Sequence, residues 1–240
     1  MPPLAVIACS SLRPELEMLA AGTAAKLRFL EMGLHQRSAE ALRLALQNAI
    51  DTEMEAGAIA LAYGLCNRGI VGLEARQLPV AVPRAHDCFA MLLGRQRYLA
   101  ELQSRPGTYF QSAGWLDNTD DVRQPDFTFG PNTNVTREKL AARYGEDNAD
   151  YLLEQFAGFT RHYDRLAYVA TAAPASVKKE QEAKDIAARR AWTFERLDGD
   201  PGLLRRLLGG DWDEREFLVL KPSERLAMAF DETLIRAEPA

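Results

Sequence analysis

Three cysteines and one histidine are the residues of this chain best placed to do chemistry. Cys9, Cys66 and Cys88 each stand at or just past the end of a short apolar run, and His86 lies two residues before Cys88. Residues two apart in an extended chain face the same side, so His86 and Cys88 can enter one site. Three thiolates and an imidazole suit tetrahedral zinc. Three thiolates alone suit an iron–sulfur cluster with one open corner, or a zinc that keeps a position for a substrate. The plainer reading is inert packing, since cysteine is among the most buried residue types. An odd number of cysteines, none in a CxxC pair, does not read as a disulfide framework.

Asp87 sits between His86 and Cys88. It can orient a ligand histidine or act as a general base, the one catalytic candidate here. It can equally cap a helix that starts at residue 88. Tyr63-Gly64-Leu65-Cys66-Asn67-Arg68-Gly69 reads as a strand running into a glycine-bearing turn, and such turns present backbone N–H groups to anions. Gly64, Arg68, Gly69 and Arg84, with His35 and Arg37 after the second predicted strand, form a candidate cofactor or anion site. The alternatives are a turn that merely uses its glycines and arginines that are merely solvated. The stretch has neither the Lys-Ser/Thr of a phosphate loop nor the dinucleotide glycine pattern. No GxSxG, HExxH or kinase motif set occurs, and His162 reads as structural.

The elements that must position these residues alternate in type. Strands are expected at 4–9, 26–32, 58–65, 80–82, 108–111, 165–171, 193–197 and 216–220. Helices are expected at 14–21, from Ser38 through Leu42, Leu46, Ile50 and Met54, and at 88–103, 176–191 and 203–208. Residues 136–162 read as helices interrupted near Gly145. The polar stretch 116–134 is expected to be a lid over the site or a surface excursion. Strands separated by helices of this length imply parallel βαβ units, hence a layered, Rossmann-like α/β fold. The expected organisation is an N-terminal lobe at 1–115 with the Cys/His site, an insertion at 116–162 and a second lobe at 163–240. Strand carboxyl ends in such sheets are where ligands bind, so the three cysteines are expected to converge there.

The 240 residues are 47% hydrophobic and 26% charged, the balance of a globular protein of one large domain or two lobes. The net charge of −5 argues against a nonspecific nucleic-acid binder and against an anionic membrane surface. No apolar run is long enough to span a membrane, and the N-terminus lacks the basic start of a signal peptide. A cytoplasmic protein is therefore expected, with a small-molecule ligand and with neither nucleic acid nor membrane as partner.

The chain resembles the family grouped as domain of unknown function 1638. The matching stretches are Ala8-Cys9 with Leu12-Arg13-Pro14-Glu15-Leu16, Leu34-His35-Gln36-Arg37 and Tyr63-Gly64-Leu65-Cys66. They continue through Pro83-Arg84-Ala85-His86-Asp87-Cys88, and Pro106-Gly107-Thr108-Tyr109-Phe110 with Gly114-Trp115. Tyr144-Gly145, Leu207-Leu208-Gly209-Gly210-Asp211-Trp212 and Phe217-Leu218-Val219-Leu220 match less closely. Two turns depart from the family pattern. Ala170-Thr171-Ala172 stands where an Asp-Thr-Gly-like turn is expected, and Lys221-Pro222-Ser223 where a Pro-Pro-Gly-like one is. The resemblance implies genes that neighbour corrinoid-dependent methyltransferases and corrinoid proteins. A metal–thiolate site would suit methyl transfer in that setting. The alternative is a non-catalytic module that holds a small anion or cofactor.

Overall fold

The computed structural model describes residues 3–34, 38–118, 137–160 and 162–240. His35, Arg37 and nearly all of the 116–134 stretch lie outside the described residues. Among the described residues the chain is an α/β protein with nine α-helices, two predominantly or wholly parallel sheets and one small antiparallel sheet.

The central sheet contains β1 (Leu4–Cys9), β2 (Lys26–Leu30), β3 (Ala58–Ala62), β5 (Val80–Pro83) and β9 (Phe217–Leu220), in the order β2-β1-β3-β5-β9. All neighbours are parallel except β9, which runs antiparallel to β5. β1 and β3 are buried along nearly their whole length, as strands covered on both faces must be. Alternate residues of β1 serve two cores. Val6 and Ala8 face one, and Ala5, Ile7 and Cys9 the other. Helix α1 (Arg13–Ala20) covers the first face through Leu16. Helix α2 (Ala39–Asp51) covers the second through Leu42, Leu46 and Ile50, spaced four apart. The Ser38 hydroxyl caps α2 by accepting the Ala41 N–H at 2.9 Å. The helix ends at Asp51, so Met54, expected on its apolar face, is exposed instead.

The second parallel sheet joins β6 (Thr108–Gln111), β7 (Arg165–Ala170) and β8 (Thr193–Asp198). One face shares the first core, through Phe110, Ala167, Val169 and Leu197, with helices α3 (Cys88–Leu93) and α9 (Gly202–Gly209). Helix α8 (Pro174–Arg190) covers the other face with Ala183, Ile186 and Ala187. The layers therefore run helix, central sheet, helices, second sheet, helix. The small sheet is β4 (Glu74–Ala75), β10 (Glu224–Met228) and β11 (Ile235–Pro239), and it closes the α2 side through Leu226 and Ile235. Helix α4 (Arg95–Ser104) follows α3 after Gly94, which takes φ +78° and splits the single helix expected at 88–103. Helix α5 (Ala113–Asp117) follows β6, and α6 (Arg137–Tyr144) and α7 (Glu146–Thr160) flank Gly145.

Strand pairing does not follow the expected lobe boundaries. β6 pairs with β7 in the second sheet although it lies before residue 115, and β9 pairs with β5 in the central sheet although it lies after residue 163. The last expected strand, β9, is followed by two more.

A buried carboxylate ties the sheets together. Glu15 of α1 is fully buried, and Thr171, just past β7, donates its hydroxyl to Glu15 Oε1 at 2.8 Å. Oε2 has no hydrogen-bond partner. Thr171 is the middle residue of the Ala170-Thr171-Ala172 turn. Burial pushes the Glu15 carboxyl up to about 7, and the charge of Asp117, itself paired with Lys179 at 3.0 Å, adds to the rise. A carboxyl raised on folding binds its proton more tightly in the folded state. The associated stability is complete below the ordinary value of 4.5 and is lost as pH rises through about 7. The expected loss across that window is on the order of 3 kcal/mol. Urea denaturation at a series of pH values should show it. Glu15→Gln, which keeps an acceptor for Thr171, should flatten the profile. A variant profile as steep as that of the native chain would assign the slope to other groups.

Candidate functional site

The site is built where the central sheet stops. β1 connects to β2 on one side and lies beside β3 on the other, so the chain diverges at the carboxyl ends of β1 and β3. Ligand crevices form at such switch points. Beyond the strands the β3 and β5 segments stay together, with the Leu65 N–H donating to Ala85 O at 2.9 Å and the Cys66 N–H to His86 O at 3.0 Å. Gly64 makes the contact feasible. A Cβ there would lie 2.6 Å from both Cα and N of Asp87 and 2.9 Å from the His86 carbonyl carbon. The turn then holds Cys66, Asn67 and Arg68 at φ +27°, +56° and +61°. Left-handed backbone costs roughly 1–2 kcal/mol at each residue with a Cβ, somewhat less at Asn.

Asp87 lies across from Gly64 and caps α3. Its Oδ1 accepts the N–H groups of Phe89 at 2.9 Å and Ala90 at 3.1 Å, and its Oδ2 accepts the Tyr98 hydroxyl. Cys88 is thereby fixed in the first turn of α3. The wall opposite comes from α5. The Ser112 hydroxyl accepts the Trp115 N–H at 3.3 Å, and Gly114 packs so tightly that a Cβ would come within 2.1 Å of the Ser11 carbonyl oxygen.

Between these walls lies a cavity of about 180 Å³. It is lined by all three cysteines together with Ser11, Tyr63, Asp87, Phe89, Met91 and Trp115. Cys9 and Cys88 are buried and Cys66 is partly exposed. The Ser11 hydroxyl donates to Cys9 Sγ at 3.1 Å. Tyr63 is 1% exposed, and its hydroxyl makes no hydrogen bond of regular geometry; its partner is the Cys9 thiol, a weak acceptor. Burial pushes all three thiols above their ordinary range, and the Asp87 carboxylate adds to the rise at Cys66 and Cys88. Burial also raises Asp87 itself, against the hydrogen bonds from Tyr98 and the α3 backbone. These shifts run opposite to those of nucleophilic cysteines, whose thiols are held down toward the thiolate.

Residues 29–208 match the model of a family described as a protein of unknown function (DUF1638). The chain belongs to that family. No curated protein and no solved structure matches it. The DUF1638 match takes in Cys66, Cys88, Tyr63 and Trp115 and begins after Cys9.

In this DUF1638 chain the three cysteines share one cavity. Among the described residues, however, no three His, Cys, Asp or Glu side chains stand together as a ready metal cage. His86 does not line the cavity. Its ring lies 6.4 Å from that of Tyr98, and its backbone carbonyl is the part that serves the site. Asp87 reaches the cavity with its oxygens already engaged, which favours the capping role over that of a base. Arg84 is bound to the chain's own backbone, donating from Nε to Glu214 O and from Nη1 to Thr233 O and Ile235 O. Arg68 is exposed and Gly69 packs on Leu42, so neither faces the cavity. Of the described members of the expected anion site, Gly64 alone lines the cavity, where its role is close approach; His35 and Arg37 lie outside the described residues. His162 is exposed. Sequence reasoning passed over Tyr63, Ser11, Trp115 and Tyr98. Tyr63, directly before Gly64 at the strand end, carried the one usable signal.

The Gly64 contact can be tested directly. Gly64→Ala should destabilise the fold by about 1–3 kcal/mol, the usual effect of overpacking. It should also speed the reaction of Cys88 with a thiol reagent under native conditions. Unchanged denaturation midpoints and unchanged thiol reactivity would show that the two loops part without consequence.

Proposed function

We propose that this DUF1638 protein is a cytoplasmic metal-binding protein whose cavity is a thiol centre for zinc or an iron–sulfur cluster. Cys9, Cys66 and Cys88 supply the donors. The observation that carries this reading is the convergence of the chain's three cysteines, from three separate strand ends, on one small cavity at the sheet's switch point. Soft thiolate donors select zinc and iron–sulfur chemistry. His86 lies outside the lining, so the three cysteines would hold the ion and leave a zinc one position for a further ligand. The thiols must draw together to close on an ion, and they must lose their protons as it binds. Cys66 is held in its left-handed turn, next to the exposed Asn67 and Arg68.

The reaction we assign is corrinoid-linked one-carbon or methyl transfer, with a corrinoid protein or a methyltransferase as partner. The family resemblance supports this setting, and a metal-bound thiol is a suitable methyl acceptor. The alternative is a non-catalytic module for a small anion or cofactor; Arg84 donates to backbone carbonyls and Arg68 lies outside the cavity, which favours the thiol centre.

Purified anaerobically, the protein should contain about one zinc per chain, or iron and sulfide with visible absorption. Cys66→Ser and Cys88→Ser should each lose most of that metal, whereas His86→Ala should retain it. Elemental analysis with an absorption spectrum measures all four proteins. A native chain that is metal-free and takes up neither zinc nor iron on anaerobic reconstitution would refute the reading.

A further inference from the structure

The composition of the cavity wall identifies the kind of molecule that fits it, and the argument uses the site just described without requiring the metal. Among the described residues no lysine, arginine or histidine lines the cavity. The carboxylate oxygens in the described lining are those of Asp87, and both accept hydrogen bonds from the protein. An anion would therefore meet a carboxylate and no positive charge, and a cation no free carboxylate oxygen. The remaining wall is soft or apolar: the three cysteine sulfurs, Met91, Phe89, Trp115 and Ala62.

One polar group in this wall is weakly satisfied. Tyr63 is 1% exposed and lines the cavity, and its hydroxyl has the Cys9 thiol, a weak acceptor, as its partner, with no hydrogen bond of regular geometry. A ligand oxygen that offers this buried donor a stronger acceptor gains free energy on binding. The volume sets the size. An apolar cavity of about 150 Å³ admits benzene, so the 180 Å³ here admits a molecule of similar bulk.

We infer that the cavity binds a small uncharged organic molecule carrying one hydrogen-bond acceptor, which receives the Tyr63 hydroxyl while the apolar body packs against Phe89, Met91 and Trp115. The partly exposed Cys66 and Trp115 mark the side from which it enters. Selection comes from the wall itself, which desolvates a charged group without compensating it.

Cyclopentanone and cyclopentanecarboxylate are suitable probes, since they share a ring and differ in charge. Ligand-observed NMR on the reduced full-length chain, with and without added zinc, measures both. Cyclopentanone should bind saturably to the zinc-free protein, and cyclopentanecarboxylate should not. Tyr63→Phe, which keeps the ring and removes the donor, should weaken cyclopentanone about tenfold. Absence of cyclopentanone binding would overturn the inference, as would equal binding of the carboxylate or an unchanged affinity in Tyr63→Phe. The native comparison stands even where the variant folds poorly. Because the zinc-free arm is decisive, a failed metal analysis and a failed ligand experiment remain distinct results.

Discussion

The close approach of the β3 and β5 extensions at Gly64 is the constraint on which the site depends. Two parallel strands that simply ended would release their loops into solvent. Here the ladder continues past the strands through the Leu65 and Cys66 N–H groups, and the missing Cβ of Gly64 lets the Asp87 backbone press in. That contact sets the position of Asp87, and Asp87 then satisfies the first turn of α3. Cys66 and Cys88 consequently stand on facing loops although 22 positions separate them in the sequence. The left-handed run from Cys66 to Arg68 is the local cost of this arrangement, and the packed ladder holds it in place.

A second close approach completes the cavity. Gly114 brings α5 onto the Ser11 carbonyl, and Trp115 closes the wall that the central sheet leaves open. The second sheet thus reaches the site through the helix that follows β6. The Glu15–Thr171 hydrogen bond makes a further tie between α1 and β7 one turn beyond Ser11. The raised Glu15 carboxyl couples the junction of the two sheets to pH.

Much of the fold was legible because its signals are local. The runs at Leu4–Cys9 and Ala58–Ala62 are apolar on both faces and could only be covered strands. The Leu42, Leu46, Ile50 spacing could only be a helix face. Convergence of the cysteines was legible for a similar reason, since parallel strands place their carboxyl ends on one edge. Strand partnership was not legible, because it depends on which distant segment completes a layer. β9 reads like any parallel strand, yet it inserts antiparallel beside β5. β10 and β11 bury only Leu226 and Ile235 deeply, and β4 has two residues, so alternation is too weak to announce them. His86 was misjudged because the two-residue rule assumes an extended chain, whereas α3 begins at Cys88 and turns the following side chains away from that register. Gly94 was read through as helix because a lone glycine is tolerated there, yet its positive φ breaks the axis.

The state of the thiols links the site's architecture to its chemistry. Burial raises the Cys9, Cys66 and Cys88 thiols and so disfavours the nucleophilic thiolate. Among the described residues the wall has no basic side chain to reverse this, and Asp87 pushes Cys66 and Cys88 in the same direction. Only a strong local positive charge can turn such thiols into thiolates, and a bound metal ion is a charge of that kind. The same lack of positive charge that leaves the thiols inert keeps anions out. A small neutral molecule can therefore occupy the cavity beside them, held by shape and by the Tyr63 hydroxyl. Activation and selection then arise from separate sources. The wall chooses the ligand, and the occupant of the three sulfurs determines whether any reaction follows.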